Sequence, residues 1–341
     1  MLKQAHALVK QHGQNPVSYL ALEDDKTLYF GKEVEGVIAY GIVGRTMVVC
    51  GDPICAPDDF VCLLTEFKDF WKKQAHQCVF LGTTDVFLEQ YSMLGYQHVK
   101  YGEEARFHLE EYQLAGGKMA RIRADINHAN KAGLATYEYL PHEGRDLALE
   151  QRMQEVSEQW LQGKTGEELG FTLGGVGIAQ PMDRRYFYAT NTAGEMVAFH
   201  VFLPFAGMNG YIADITRRVP DAPGGVAEKI NYDAFMTFRD EGIKWGSLGV
   251  APLANVLDEN EEHDVNAKAL HFIYEKFNRF YGFQTLHQAK TRYTPTAWVP
   301  SYLIYSTKNL TPQMMYAIVK IQSPGGLMGH LRGFLHKKRK R

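Results

Sequence analysis

Short apolar stretches broken by glycine and aspartate set the rhythm of the first hundred residues. β-Branched and aromatic residues cluster at 18–22, 27–30, 34–43 and 46–51, a pattern that predicts four short strands. The period then lengthens. In DDFVCLLTEFKDFWKKQAH, Phe60, Leu63, Leu64, Phe67, Phe70 and Trp71 recur every three or four residues. Acidic side chains open that segment and lysines close it, which predicts an amphipathic helix aligned with its own dipole. A strand (CVFLG), a helix (VFLEQYSML) and a strand entered through Gly95-Tyr96 are expected next.

The second half runs through the same order with different residues: strands near 185–190, 195–203 and 210–216, a helix 226–241, a strand 245–250, a helix 267–280, then Gly282-Phe283. Two similar units, 1–115 and 166–324, are therefore expected end to end. The segments EQYSMLGYQ (89–97) and EKFNRFYGFQ (275–284) both read as a helix ending in an aromatic-Gly-aromatic corner that enters a strand. That corner resembles the one in GNAT acyltransferases. The expected class is accordingly α+β: tandem GNAT-like units, each a mixed, mostly antiparallel sheet flanked by helices. Between them, 116–165 carries a basic helix, GKMARIRADINHANKAG (117–133), and a second helix through SEQWLQGK (157–164).

The final segment, 325–341, sets Leu327, Met328, Leu331, Phe334 and Leu335 on one helical face beside Arg332 and ends in Lys337, Lys338, Arg339, Lys340 and Arg341. An apolar face next to a polybasic run suits a helix lying on an anionic membrane, where each cation near the surface contributes about 1 kcal/mol. An RNA-binding or frayed basic tail explains the same run.

Composition narrows the picture. Apolar residues make up 45% of the 341 and charged residues 22%, so the chain is long and apolar enough to bury a large core. Formal net charge is only −2, so a polyanionic partner must be met by local clusters. Cys50, Cys55, Cys62 and Cys78 match neither a paired zinc motif nor a secreted disulfide framework and read as reduced, mostly buried thiols. No stretch reaches the roughly 18 apolar residues that span a bilayer, and MLKQAHALVKQHGQ has no signal-peptide core. A cytosolic domain, complete or excised from a longer membrane protein, is the expectation.

Three segments hold candidate chemistry. YIADITRRVPDAPGGVAEKI (211–230) puts Asp214 and Arg217 at a strand end, ahead of a Pro/Gly turn and a helix start. Strand ends that open into loops are common places for sites, and free N–H groups near Gly225 suit an anion or a developing oxyanion. An Asp–Arg pair closing a loop accounts for the same residues. An acetyl-CoA loop needs bare amides at this turn, yet RRVPDAPGG spends two positions on Pro220 and Pro223. That points to an acyl donor other than CoA. In FQTLHQAKTRYTPTAWVPSYLIY (283–305), Lys290, Arg292, Tyr293, Trp298 and Tyr302 surround two prolines. The mixture suits an RNA end or a phosphate head group, and a proline-braced loop packing its aromatics explains it equally. Arg121, Arg123, His128 and Lys131 spread around the middle helix as on a solvated face. Thirteen histidines show no HExxH, and neither GxSxG nor a Walker loop occurs, so neither a metal nor a nucleotide cofactor is expected.

Taken together, GRTMVVCGDP (44–53), LGYQHVKYGEEA (94–105), RADINHANKAGL (123–134), SEQWLQGK (157–164), GFTLGG (170–175), DITRRVPDAPGGVAEK (214–229), WGSLGVAPLANV (245–256) and WVPSY (298–302) resemble the C-terminal domain of lysyl/alanyl-phosphatidylglycerol synthases, the multiple peptide resistance factor family. The resemblance covers nearly the whole chain. It implies two GNAT-like units across a tunnel, aminoacyl-tRNA and phosphatidylglycerol as partners, no cofactor, a place at the cytoplasmic face of the membrane, and an N-terminal transmembrane flippase region in the same protein. By similarity, Asp214 and Arg217 occupy the D-x-x-R positions associated with catalysis and Lys290 the lysine of the late loop. Asp214 would take a proton from the glycerol hydroxyl, while Arg217 and Lys290 would hold phosphate or oxyanion. Glu228, Ser247, Asn255, Arg292, Trp298 and Tyr302 would bind substrate, and Arg121, Arg123, Lys131 and the basic tail would meet tRNA or membrane. Lysine, alanine and arginine all remain compatible as the transferred residue. The late motif departs from the family pattern W-x-P-R-Y, because Ser301 stands where the arginine would be and one extra residue lies between Pro295 and Trp298. A tandem-GNAT ligase that aminoacylates a peptide or peptidoglycan precursor is the nearest alternative, and a catalytically silent membrane- or RNA-binding module is a further one.

Overall fold

The computed structural model describes residues 1–163, 169–252, 256 and 283–323. The helix expected at 267–280, Asn255 and the tail with Arg332, Lys337, Lys338, Arg339, Lys340 and Arg341 lie outside the described residues. Helix α1 (Leu2–His12) leads into strands β1 (Thr27–Phe30), β2 (Gly36–Val43), β3 (Thr46–Cys50) and β4 (Ile54–Cys55). Helix α2 (Phe60–Gln74), β5 (Gln77–Thr83), α3 (Leu88–Met93) and β6 (Gln97–His108) follow. Next come α4 (Ala120–Lys131), β7 (Ala135–Tyr139), α5 (Leu147–Gln162), β8 (Arg185–Thr190), β9 (Met196–Phe205), β10 (Gly210–Arg218), α6 (Val226–Asp240) and β11 (Trp245–Pro252). Last are α7 (Phe283–Thr291), β12 (Ala297–Tyr305) and α8 (Pro312–Gln322).

Among the described residues twelve strands join one mixed sheet in the order β1-β2-β3-β5-β12-β6-β11-β10-β9-β8-β7, with β4 on β2. Of these described pairings β3–β5 and β10–β11 are parallel and the rest antiparallel. The mixed, mostly antiparallel character and the flanking helices agree with the sequence reading, which expected one such sheet in each unit; here the strands join a single sheet. Its middle is interleaved: β12, from the end of the chain, lies between β5 and β6, while β6 lies between β12 and β11. The bounds 1–115, 116–165, 166–324 and 325–341 stay a proposed division of the chain, across which these strands pair.

Helices cover both faces. On β3, Met47 and Val49 pack with Phe60, Leu63, Leu64 and Phe67 of α2, whereas Val48 and Cys50 join the larger core on the other face. A strand buried on both sides reads as a continuous apolar run, as TMVVC does. The helix of 60–74 keeps its periodic face inward, with Trp71 Nε1 donating to Tyr96 OH at 2.9 Å. Cys50, Cys55 and Cys78 are free and buried, and Cys62 is partly exposed.

Three expectations change. Residues 18–22 form a 3-10 helix in which all five residues are buried. A short run such as SYLAL is apolar on every side, so its period cannot separate a strand from a buried helical turn. Phe283 opens helix α7 where a strand was expected. The 297–305 stretch, read as a proline-braced loop, is a central strand. It tolerates Pro300 because β12 pairs with β5 only from Tyr302 onward, which leaves the 297–301 stretch one open edge.

The aromatic packing on β5 supplies a stability test. Phe80 is fully buried, with the rings of Tyr91 and Tyr96 at 5.3 and 5.6 Å. Phe80→Ala is expected to lower stability by about 3–5 kcal/mol in urea unfolding; a loss under about 1 kcal/mol would show that neighbouring side chains refill the space.

Candidate active site

The site grows out of two places where strands part. Strands β10 and β11 pair from Gly210–Trp245 to Ile212–Ser247 and then diverge, with a bulge in β10 between Ala213 and Ile215. Bulges re-aim side chains at such places. Beside this splay, β12 has lost β5 as a partner. A cavity of about 470 Å³ fills the gap, and Asp214, Glu228 and Lys290 line it together with Glu104, His200 and Asn231.

Asp214 stands two residues beyond the last β10 residue paired with β11, at the bulge against β9. Its carboxylate accepts the Gly174 N–H, at 3.0 Å to Oδ2 and 3.3 Å to Oδ1. Burial raises its pKa to about 7, opposed by the Gly174 hydrogen bond and further raised by Glu23. Glu23 is itself ion-paired with buried Arg184, whose guanidinium lies 5.3 Å from the Tyr19 ring. Gly174 is required here for closeness: a Cβ would sit 2.6 Å from Asp214 Oδ2 and 3.0 Å from Glu23 Oε1. The strap that carries it bends sharply at Phe171, a buried aromatic at φ 63°. That residue is held by its N–H to Asp25 at 3.1 Å and by the Cys50 thiol donating to its carbonyl at 3.2 Å. Backbone strain of this kind persists only where surroundings enforce it.

Lys290, in the last turn of α7, is 8% exposed, and its Nζ donates to Val250 O at 2.8 Å. Burial lowers its pKa to about 7, against the pull of Glu104. Glu104 is held by Arg106 through Nε (3.1 Å) and Nη2 (2.6 Å). A carboxyl and an ammonium whose ordinary values lie at opposite ends of the scale thus converge near neutrality on one cavity, the arrangement expected of acid–base chemistry.

The other expected residues fall elsewhere. Arg217 is buried but turned from the cavity toward α5. Its guanidinium lies 4.1 Å from the Trp160 ring and its Nε donates to Ser157 Oγ at 3.3 Å. Desolvation lowers it to about 10, so it stays cationic near neutral pH. Ser247 is fully buried and accepts the Gly249 N–H at 2.9 Å. Trp298 packs against His287 at 4.6 Å between ring centres, and Tyr302 meets His98 edge-on at 5.8 Å. Arg292 is exposed beyond α7. On α4, Arg123 Nη1 is bonded to the carbonyls of Leu114 and Gly116 at 2.6 and 2.7 Å, while Arg121 pairs with Asp125 at 3.2 Å and Lys131 is exposed. Glu23, Glu104, Arg184, His200 and Asn231 entered no sequence argument as site members, while Tyr293 entered only within the cation-aromatic cluster of 283–305. Gly174 lay within GFTLGG, where the glycine pair was the one available signal.

A mixed sheet that parts over a buried carboxylate and a buried lysine makes this a mixed α/β protein with a candidate acid–base site at a strand splay. The family model "Phosphatidylglycerol lysyltransferase, C-terminal" matches residues 6–305. The chain belongs to that family of C-terminal domains. It is 26% identical over 320 residues to a phosphatidylglycerol lysyltransferase of Staphylococcus haemolyticus, covering 94% of this chain and 37% of that protein. Against the Bacillus subtilis phosphatidylglycerol lysyltransferase the identity is 28% over 315 residues, 92% of this chain and 36% of the relative. The chain therefore spans little more than a third of these curated relatives. The solved structure of L-PGS from Bacillus licheniformis superposes with a TM-score of 0.82 at 25% identity, covering 94% of this chain and 96% of that one.

The raised Asp214 has a thermodynamic consequence. The folded chain keeps this proton up to about pH 7 and the unfolded chain releases it near 3.8, so folding takes up a proton between those values and stability falls as pH rises through that window. Asp214→Asn is expected to melt above wild type at about pH 8, the gap closing toward about pH 4. Equal melting points at both pH values would place the carboxyl in ordinary solvent. Gly174→Ala is expected to destabilise the fold by about 1–3 kcal/mol in urea unfolding, since the Gly174 hydrogen bond and the packing around Asp214 both give way.

Proposed function

We propose that this chain catalyses transfer of an aminoacyl group from aminoacyl-tRNA to a head-group hydroxyl of phosphatidylglycerol. The observation that carries this reading is the pairing of Asp214 and Lys290 on one buried cavity, in a chain of the phosphatidylglycerol lysyltransferase C-terminal family. Asp214, whose pKa burial raises to about 7, accepts the hydroxyl proton in its ionised form as the glycerol oxygen attacks the aminoacyl ester carbonyl. The new ester bond forms, and the bond to the ribose oxygen breaks with its electron pair. The departing oxygen takes a proton, for which protonated Lys290 is suitably tuned; the ammonium also steadies the negative charge that develops on the carbonyl oxygen. One ester replaces another, so no ATP is consumed.

The names of the relatives support lysine as the transferred residue. Glu228 and Glu104 place negative charge around the cavity where a cationic aminoacyl group would lie. Arg121 and Lys131 on α4, with the basic tail 337–341, are the surface proposed for tRNA or anionic lipid. Among the described residues no helix is long and apolar enough to cross a membrane. Supply of lipid by a transmembrane flippase region of the same protein, action at the cytoplasmic face, lowered membrane charge and resistance to cationic peptides belong to the same proposal.

The test is thin-layer separation of lipids after incubating the chain with phosphatidylglycerol vesicles and a panel of radiolabelled aminoacyl-tRNAs. A labelled lipid with lysyl-tRNA is expected; no labelled lipid from any donor, beside an active control enzyme, sinks the reading. Asp214→Asn is expected to lower kcat by about 10²–10⁴-fold. The wild-type kcat/KM should peak near pH 7, rising as Asp214 loses its proton and falling as Lys290 loses its own. In Lys290→Arg the falling limb should move to higher pH, since guanidinium keeps its charge; an unmoved limb removes Lys290 from the chemistry.

A further inference from the structure

Strand β9 reads MVAFHVFLPF and is buried at every position, with His200 as its one titratable side chain. In register, His200 lies opposite Thr216, two residues from Asp214 on β10, and both His200 and Thr216 line the cavity. A histidine deep in an apolar strand needs a reason.

Its partners define which nitrogen can act. Nδ1 lies 2.8 Å from Asn231 Oδ1, and Asn231 Nδ2 donates to Tyr293 OH at 3.2 Å. The amide oxygen faces the ring, and an acceptor oxygen there is met by a hydrogen on Nδ1. Burial lowers the ring pKa to about 4, which keeps it neutral. Neutral imidazole with hydrogen on Nδ1 has a bare lone pair on Nε2. Among the described residues Nε2 has no hydrogen-bond partner, and His200 borders the cavity.

A nitrogen that can only accept does nothing for an oxyanion, a phosphate or an ester carbonyl, since all of these are acceptors too. It selects a donor. An ammonium has the Glu228 carboxylate on the same cavity, whereas a neutral acceptor beside the base suits a neutral hydroxyl near the reacting oxygen. We propose that His200 is a substrate-contacting residue whose Nε2 accepts a hydrogen bond from a non-reacting hydroxyl adjacent to the transfer centre, with Asn231 and Tyr293 as positioning residues that hold the required tautomer. The inference rests on the proposed transfer reaction. Two hydroxyls have this chemistry: the second hydroxyl of the glycerol head group and the 2′-hydroxyl of the terminal ribose.

The experiment measures kcat/KM for wild type, His200→Phe and His200→Gln on phosphatidylglycerol vesicles with lysyl-tRNA. Each is repeated with a lipid bearing a 1,3-propanediol head group, and again with lysyl-tRNA ending in 2′-deoxyadenosine. On the natural pair His200→Phe is expected to lose about 10- to 100-fold, the scale of one buried hydrogen bond. His200→Gln, which keeps an acceptor, should recover part of it. With one of the two analogues the His200→Phe loss should disappear, because the partner hydroxyl is already gone, and that analogue names the source. Tyr293→Phe leaves the imidazole in place and removes only the hydroxyl that orients Asn231. It should show a smaller loss with the same substrate dependence, which keeps the test open if His200→Phe fails to fold. Equal losses on all substrates, or none, overturn the His200 assignment while the transfer reading stands. An inactive wild-type chain overturns the transfer reading and the inference with it.

Discussion

Much of the molecule depends on one backbone constraint: β12 must pair on both sides where it runs beside β5 and on one side only where it runs above it. Each strand N–H and C=O needs a partner, and β12 finds them by inserting between β5 and β6, some two hundred residues away in sequence. From Tyr302 onward the ladder is complete. Before Tyr302 the strand keeps β6 but leaves β5, and that free edge, together with the parting of β10 from β11, makes the cavity. The same insertion carries α7 to the wall, so Lys290 and Tyr293 arrive with the strand that follows them.

Having opened a space, the fold fills its border with groups that would be more stable in water. Desolvation works against the charged forms of Asp214 and Lys290 alike. Neither is left without support: Asp214 keeps the Gly174 N–H, Lys290 keeps the Val250 carbonyl, and the nearby Glu23 and Glu104 are tied to Arg184 and Arg106. Each outer carboxylate, paired with its arginine, acts on its neighbour's proton affinity: Glu23 raises Asp214, and Glu104 raises Lys290. The strained Phe171 strap and the glycine at 174 are the backbone cost of bringing an amide so close to Asp214.

Some of this was legible in advance. Helix α2 announced itself through a long three-to-four period, and the repeated order of strands and helices was enough to expect a mixed sheet. The motif around Asp214 stood out because it joined a strand end to a Pro/Gly turn. Residues 18–22 misled because five apolar residues carry no period, and 297–305 misled because Pro300 argues against a central strand unless one edge is known to be open. Arg217 sits three residues from Asp214, near enough in sequence to suggest one site, yet the bulged strand turns it toward Trp160. His200 was invisible, since a single histidine in an apolar run gives no spacing to read.

What the sequence alone determined arises between neighbouring residues: the periodic helices, most of the apolar strands, and the ordered motifs by which the chain resembles its family. Local propensity and side-chain period are properties of contiguous residues, so they survive in one dimension. What only the tertiary structure decided is which motifs meet. The order β5-β12-β6-β11 follows from backbone pairing between distant strands, and proton affinities follow from burial after that pairing is made. Asp214 and Lys290 became partners on one cavity, and Arg217 did not, because desolvation and side-chain direction exist only in the folded chain.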